Sequence, residues 1–314
     1  MAPNSQYKII TITGHTACGK TKLAAHLCYH INGEIISADS RQVYKFLNIG
    51  TGKDYEDYFV NNVKINYHLI DICYPGEQYN VFKFKKDFFN ALLEINSKNK
   101  KAVLCGGTGL YIEAVLRNYP LIEVPPNQEL RSKLAALSLN ELIDLLKQYN
   151  KTHNISEILK KQNKERAIKL IEIAEYYKKN NVINDNYPPI ESINFVLFLP
   201  PEERRKKIKE RLINRINNGL IAEVEELIKL GISKETLLNY GLEYKYVTLY
   251  LSGELTYDVF FEKLYTAICQ FAKRQMTYFR GMEKRGIKLI WINAIEGFDK
   301  NLNYILELSK NFLQ

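Results

Sequence analysis

A chain of 314 residues, 46% hydrophobic and 25% charged, can bury a sizeable core and is too apolar to be largely disordered; its length suggests one large domain with an insertion, or two domains. Forty-four Lys and Arg against 35 Asp and Glu leave a formal charge of +9, which favours a polyanionic partner such as nucleic acid or an acidic membrane surface and also suits a plain basic enzyme. No apolar run approaches the ~18 residues of a membrane span and no leader pattern is read, so a cytoplasmic protein without a membrane partner is expected.

In chain order, the apolar run at residues 8–13 leads into Gly14-His15-Thr16-Ala17-Cys18-Gly19-Lys20-Thr21, and Leu23-Ala24-Ala25-His26-Leu27 follows. That pattern predicts strand, glycine-rich turn and helix. The turn fits G-x-x-x-x-G-K-[ST], whose backbone N–H groups and helix N-terminus cradle a diphosphate, with Lys20 on the phosphates and Thr21 on a bound Mg²⁺. Gly14, Thr16, Ala17, Cys18, Gly19, Lys20 and Thr21 are therefore the expected diphosphate-binding residues, and Thr21 the metal ligand. The motif leaves open whether the phosphates are transferred, hydrolysed or expelled. Cys18 reads either as a small residue filling a tight turn or as a reactive thiol near a helix N-terminus. The five cysteines include no C-x-x-C pair, so neither a zinc site nor a disulfide framework is indicated.

Further short β-branched segments at residues 34–37, 66–72, 101–105, 193–199 and 287–292 alternate with helical patterns, which predicts an α/β fold with a parallel sheet flanked by helices. Ligands of such sheets gather at the carboxyl ends of the strands. The residues that follow the strands are the phosphate loop, then Ala38-Asp39-Ser40-Arg41-Gln42, then Asp71, then Gly106-Gly107-Thr108-Gly109. From 120 to 190, Leu, Lys, Asn and Glu recur at helical spacing with prolines as punctuation, which predicts an all-helical insertion between core segments 1–119 and 191–314. A long helix from 258 to about 284 places Phe260, Leu264, Ile268, Phe271 and Phe279 on an apolar face and Lys273 and Arg280 on another, where solvation and phosphate contact are equally suitable roles.

The segments 14–21, 36–45, 48–53, 68–71, 106–111 and 272–280 together resemble the tRNA dimethylallyltransferase family, in the family's order and over nearly the whole chain. The resemblance implies a P-loop NTPase-like core. It also implies transfer of a dimethylallyl group from dimethylallyl diphosphate to N6 of the adenosine 3′-adjacent to the anticodon, in tRNAs reading codons that begin with U. Diphosphate is released and Mg²⁺ is the expected cofactor. On this resemblance Asp39 is the general base, and Lys20, Thr21 and Arg211 act on the departing diphosphate. Thr108 lines the donor pocket; Ser40, Gln42, Lys273, Arg274, Gln275 and Arg280 contact tRNA; the insertion grips the anticodon stem-loop; and a monomer is expected.

The chemistry suits these residue types. An exocyclic adenine amine is a poor nucleophile, so a carboxylate within reach of N6–H can accept its proton as the C–N bond forms. Fixed donors around the departing diphosphate favour the transition state. Plainer roles exist for each: Asp39 or Thr108 as a turn or helix cap, Arg211 as a solvated charge. A P-loop kinase of a small metabolite, an adenylate dimethylallyltransferase acting on free nucleotide, and a nucleic-acid-binding protein with a vestigial loop are the rival readings. The chain departs from the family pattern at His15, Cys18, the segment Gly241-Leu242-Glu243-Tyr244-Lys245-Tyr246, and Ile268-Cys269.

Overall fold

The structure is a computed structural model that describes residues 7–118, 124–149, 159, 162–180 and 187–314. The chain divides into two compact units, Met1–Tyr119 with Tyr187–Gln314, and Pro120–Asn186.

The larger unit is organised by strands β1 (Tyr7–Gly14), β2 (Gly33–Ser37), β5 (Tyr67–His68), β6 (Lys101–Gly106), β7 (Ile190–Phe198) and β8 (Ile290–Asn293), with β3 (Phe59–Val60) and β4 (Val63–Lys64) forming a separate hairpin. The sheet order is β5-β2-β6-β1-β7-β8, and every pairing in it is parallel. The expected α/β fold is therefore present. Because side chains alternate across a strand, β1 feeds two cores. Ile10 and Ile12 pack with Leu23, Leu27 and Cys28 of the helix Lys20–Ile31 and with Leu302 and Ile305 of the helix Phe298–Leu313. Ile9 faces the opposite layer, with Phe84, Phe88 and Leu92 of the helix Val81–Ser97, Ile112 of Gly109–Leu116, and Phe279 and Met282 of Tyr257–Lys284.

Residues 66–72, expected as one strand, contribute only Tyr67–His68 to the sheet. Leu69 and Asp71 adopt left-handed backbone (φ 65° and 57°), which ends the ladder. The β3/β4 hairpin lies where the sequence pattern predicts no strand. It turns through Asn61 and Asn62 at φ 49° and 63°, the conformation a two-residue hairpin needs and one that Asn tolerates.

A third core joins the helices Pro201–Asn217, Leu220–Lys229, Lys234–Asn239 and Leu242–Leu251 to the first half of Tyr257–Lys284, through Leu212, Val224, Tyr244, Phe260 and Leu264. At 28 residues this last helix is about 42 Å long, enough to serve the helical core with its first half and the sheet with its second. Its buried stripe runs through Ala272 and Met276, and Phe271, expected on that stripe, is 41% exposed.

The smaller unit contains the helices Gln128–Ala135, Leu139–Gln148 and Lys164–Lys179 around Leu134, Leu142, Leu146, Ala167 and Ile171. Ser138 and Glu141 form a reciprocal capping box, and Asn127 and Asn163 cap the other two helices.

Candidate active site

The phosphate loop leaves β1 at Gly14 with φ 154°, and a Cβ there would stand 2.3 Å from the Leu197 carbonyl oxygen, so only glycine fits. The loop turns through Ala17 (φ 63°) and Gly19 (φ 83°) into the helix Lys20–Ile31, whose N-terminus has no side-chain cap. Its first N–H groups are thus available to an anion. Lys20 Nζ donates to the His15 carbonyl at 3.2 Å and lines the cavity below. Thr16 is more engaged than its spacing implies: its N–H donates to Gln275 Oε1 (2.9 Å) and its hydroxyl accepts from Arg211 Nη1 (3.2 Å). Burial raises the Cys18 thiol above its ordinary range, which favours the turn-filling reading over the reactive one.

His15 is wholly buried and built into the loop. Nδ1–H donates to the Thr16 carbonyl at 2.6 Å, and Nε2 accepts the Leu199 N–H at 3.0 Å, a pattern that selects one neutral tautomer and ties the loop to the end of β7. Burial lowers its pKa from 6.5 to about 4, the Thr16 hydrogen bond opposing and Lys20 and Arg204 assisting. Since the unfolded chain binds this proton more readily, stability is full above pH 6.5 and falls as the pH drops toward 4, by about 3 kcal/mol from this group. His15→Gln should flatten that part of the profile, as read by urea unfolding between pH 7.5 and 4.5; identical profiles would contradict the assignment.

The turns after β2 and β6 are tied to each other. Ala38 N–H donates to the Cys105 carbonyl (2.7 Å), Thr108 N–H to the Ala38 carbonyl (3.1 Å), and Ser40 N–H to Thr108 Oγ1 (3.0 Å). Thr108 occupies the N-cap position of its helix without a side-chain cap bond, so its hydroxyl secures the Ser40 turn instead. Asp39 Oδ1 accepts the N–H groups of Arg41 (2.9 Å) and Gln42 (3.4 Å), while Oδ2 makes no hydrogen bond among the described residues. The turn-capping role and an available carboxylate oxygen therefore coexist in one side chain.

A cavity of about 720 Å³ opens where these turns meet. Its lining includes Lys20, Thr21, Asp39, Ser40, Gln42, Thr108, Arg211, Arg274 and Gln275, together with Arg215, Phe271 and residues 238–243, for which the sequence predicts no site role. Gln42 and Gln275 are held inside the protein. Gln42 Nε2 donates to the Gly52 carbonyl (2.9 Å) and its Oε1 accepts from the Ser37 hydroxyl (3.2 Å); Gln275 Nε2 donates to the Gly107 carbonyl (3.0 Å) while Oε1 holds Thr16. Both amides brace cavity turns, and each keeps a second N–H and a second oxygen lone pair. Lys273 and Arg280 are exposed and do not line the cavity, whereas Arg274 does, with Phe271 beside it. Asp71 does not reach the cavity. It pairs with the buried Lys53 ammonium at 2.5 Å and accepts from the Tyr55 hydroxyl at 2.5 Å.

Helix Pro201–Asn217 presents Arg211 to the phosphate loop, and its Nη2 pairs with Asp54 at 2.5 Å. Glu223 accepts the N–H groups of Asn48, Ile49 and Gly50 (2.7–3.0 Å) and the Tyr244 hydroxyl (2.7 Å), and so fixes the loop that carries Gly52 to the cavity wall. The divergent segment at 241–246 thereby enters the site: Tyr244 anchors Glu223, and Glu243 pairs with Arg215 at 3.0 Å.

Thr21 lines the cavity, and its hydroxyl has no hydrogen bond among the described residues; no group of three or more His, Cys, Asp or Glu side chains there could hold a metal. One hydroxyl beside a bound diphosphate suits Mg²⁺, which keeps several waters and takes few protein ligands. Also among the described residues, no helix is long and apolar enough to cross a membrane.

The IPP transferase family model matches residues 42–282. The tRNA dimethylallyltransferase 2 of Bacteroides fragilis is 48% identical over 306 residues, 98% of this chain and 99% of the relative. The tRNA dimethylallyltransferase 2 of Porphyromonas gingivalis is 49% identical over 300 residues, 96% and 98% of the two chains. Among solved structures, the full-length tRNA isopentenylpyrophosphate transferase of Bacillus halodurans has a TM-score of 0.71 at 28% identity, covering 98% of this chain and 97% of that one. A eukaryotic dimethylallyltransferase acting on tRNA has the same fold, with a TM-score of 0.78 at 21% identity over 98% of this chain and 80% of its own. With a family model matched across most of its length and relatives near half identity end to end, the chain belongs to the IPP transferase family.

Proposed function

We propose that this cavity performs prenyl transfer to tRNA, moving a dimethylallyl group from dimethylallyl diphosphate to N6 of the adenosine 3′-adjacent to the anticodon in tRNAs that read codons beginning with U. The observation that carries the reading is the meeting, in one cavity, of a phosphate loop with a carboxylate that has one oxygen free of hydrogen bonds among the described residues. In the step, the N6 lone pair forms the bond to the allylic carbon, and the bond from that carbon to the diphosphate oxygen breaks. The N6 proton passes to Asp39 Oδ2, and the diphosphate leaves with the bonding electrons. Lys20, Arg211 and the N-terminus of the helix Lys20–Ile31 hold the charge that builds on the diphosphate.

Thr21 would hold Mg²⁺ against the diphosphate, where the ion supplies further neutralisation of that charge. Ser40, at the rim of the Asp39 turn, and Arg274 with Phe271 are the side chains best placed to receive the acceptor nucleotide, since an unstacked base is held by hydrogen bonds and by aromatic and guanidinium planes. Gripping of the anticodon stem-loop by the helical unit rests on the family resemblance. A tRNA acceptor suits the cytoplasm, and a monomeric enzyme is the reading carried over from the family resemblance.

The kinase rival would use Asp39 or Asp71; Asp71 is engaged by Lys53 and Tyr55 away from the cavity, and the rival leaves the family match over residues 42–282 and the helical unit unexplained. The free-nucleotide rival leaves the +9 charge and the helical unit without a role. Nuclease fragment mapping of tRNA treated with protein, Mg²⁺ and dimethylallyl diphosphate should place the prenyl group on the adenosine following the anticodon; a prenyl group elsewhere in the tRNA would overturn the acceptor assignment.

A further inference from the structure

Arg215 lies one helical turn beyond Arg211, so both side chains leave the same face of the helix Pro201–Asn217. Its side chain is only 11% exposed. Nη1 donates to Glu243 Oε1 at 3.0 Å, the buried Nε has no hydrogen-bond partner, and Nη2 makes no hydrogen bond among the described residues. The guanidinium lies against Gly52: a Cβ built there would stand 1.8 Å from Arg215 Nη2 and 2.6 Å from Arg211 Nη2. Two cationic forks therefore converge on one glycine at the cavity wall, and Thr16 and Ala17 of the phosphate loop line the same space.

Such an arrangement is unfavourable in an isolated protein. A buried N–H without an acceptor loses its hydration with no return, and two like charges close together repel. Each arginine has one carboxylate, Asp54 for Arg211 and Glu243 for Arg215; Arg211 Nη1 adds only the neutral Thr16 hydroxyl, and Arg215 keeps Nε and Nη2 without a hydrogen bond among the described residues, beside Gly52. A polyanion with several acceptor oxygens satisfies both the unpaired donors and the excess charge, and a guanidinium fork matches a phosphate geometrically.

We propose that Arg215 is a second guanidinium ligand of the donor's diphosphate, acting beside Arg211 and held in place by Glu243. This assignment rests on the reading that the cavity binds dimethylallyl diphosphate. Gly52 is the residue that makes room for the pair. Glu243, from the segment that diverges from the family pattern, is a positioning residue for Arg215.

The test is calorimetric titration of the full chain with inorganic diphosphate and Mg²⁺, and separately with an anticodon stem-loop RNA. The double variant Arg215→Met with Glu243→Gln removes the guanidinium without leaving a bare carboxylate, and its melting temperature should match that of the wild type. It should bind diphosphate at least about tenfold more weakly, the scale of one lost charge-assisted contact, with RNA affinity unchanged. Glu243→Gln alone should show a smaller loss. Wild-type diphosphate affinity in the double variant, or a loss confined to RNA, would overturn the assignment while leaving the donor site intact. A wild type that does not bind diphosphate would overturn the donor-site reading itself, and the role of Arg215 with it.

Discussion

Asp39→Asn should lower turnover by about 10²–10⁴-fold while both substrates still bind, the range general-base catalysis supplies. Asparagine is the informative replacement because Asp39 has two separable tasks. Oδ1 organises the turn by accepting the Arg41 and Gln42 N–H groups, and an amide oxygen can do the same. Oδ2 is the atom left to take a proton, and an amide cannot take one at neutral pH. Asp39→Ala removes both functions and should lose turnover too, with any loss of stability beyond that of Asp39→Asn reporting the turn. The check is kcat and KM for each substrate beside direct RNA-binding measurements. Near-normal turnover by Asp39→Asn would remove the general base from the mechanism and leave Asp39 as a turn residue.

Lys20→Ala should reduce kcat/KM for the donor by about 10²–10³-fold, comparable to deleting one preorganised donor from a site of developing negative charge. Its ammonium now bonds to the His15 carbonyl at the cavity edge, a neutral partner that a phosphate oxygen can replace. The loop should keep its shape without it, because Gly14, the His15 ring and the Gln275 amide hold the backbone independently. Weaker donor binding and slower transfer should therefore appear with an unchanged melting temperature and unchanged RNA affinity. If diphosphate affinity and rate both stayed at wild-type values, the phosphate loop would not be the donor site.

Much of this site is legible in the sequence because phosphate binding is local chemistry. The glycine spacing, Lys20 and Thr21 follow a strand and open a helix, and the structure keeps that order. The parallel sheet is legible for a similar reason: strands buried on both faces read as short continuous apolar runs between helical periods. What escapes is set by partners far apart in sequence. Asp71 follows a predicted strand just as Asp39 does, and only the buried Lys53 shows why one leaves the edge and the other stays. Gln42 and Gln275 sit within motif segments, yet their amides close hydrogen bonds to turns up to 259 residues away. Arg215 is hidden in a helix rich in Arg, Lys and Glu that reads as a solvated face; its four-residue spacing from Arg211 is the one signal that could have found it. Phe271 fits the apolar periodicity of its helix, yet the buried stripe uses the smaller Ala272 and leaves Phe271 exposed.

The most direct measurement incubates purified protein with Mg²⁺ and dimethylallyl diphosphate in two tubes, one with unmodified tRNA and one with AMP, followed by nuclease digestion and mass spectrometry of the nucleosides. An adenosine heavier by one dimethylallyl unit in the tRNA tube alone is the predicted result. Product only on AMP, or in neither tube, would contradict it.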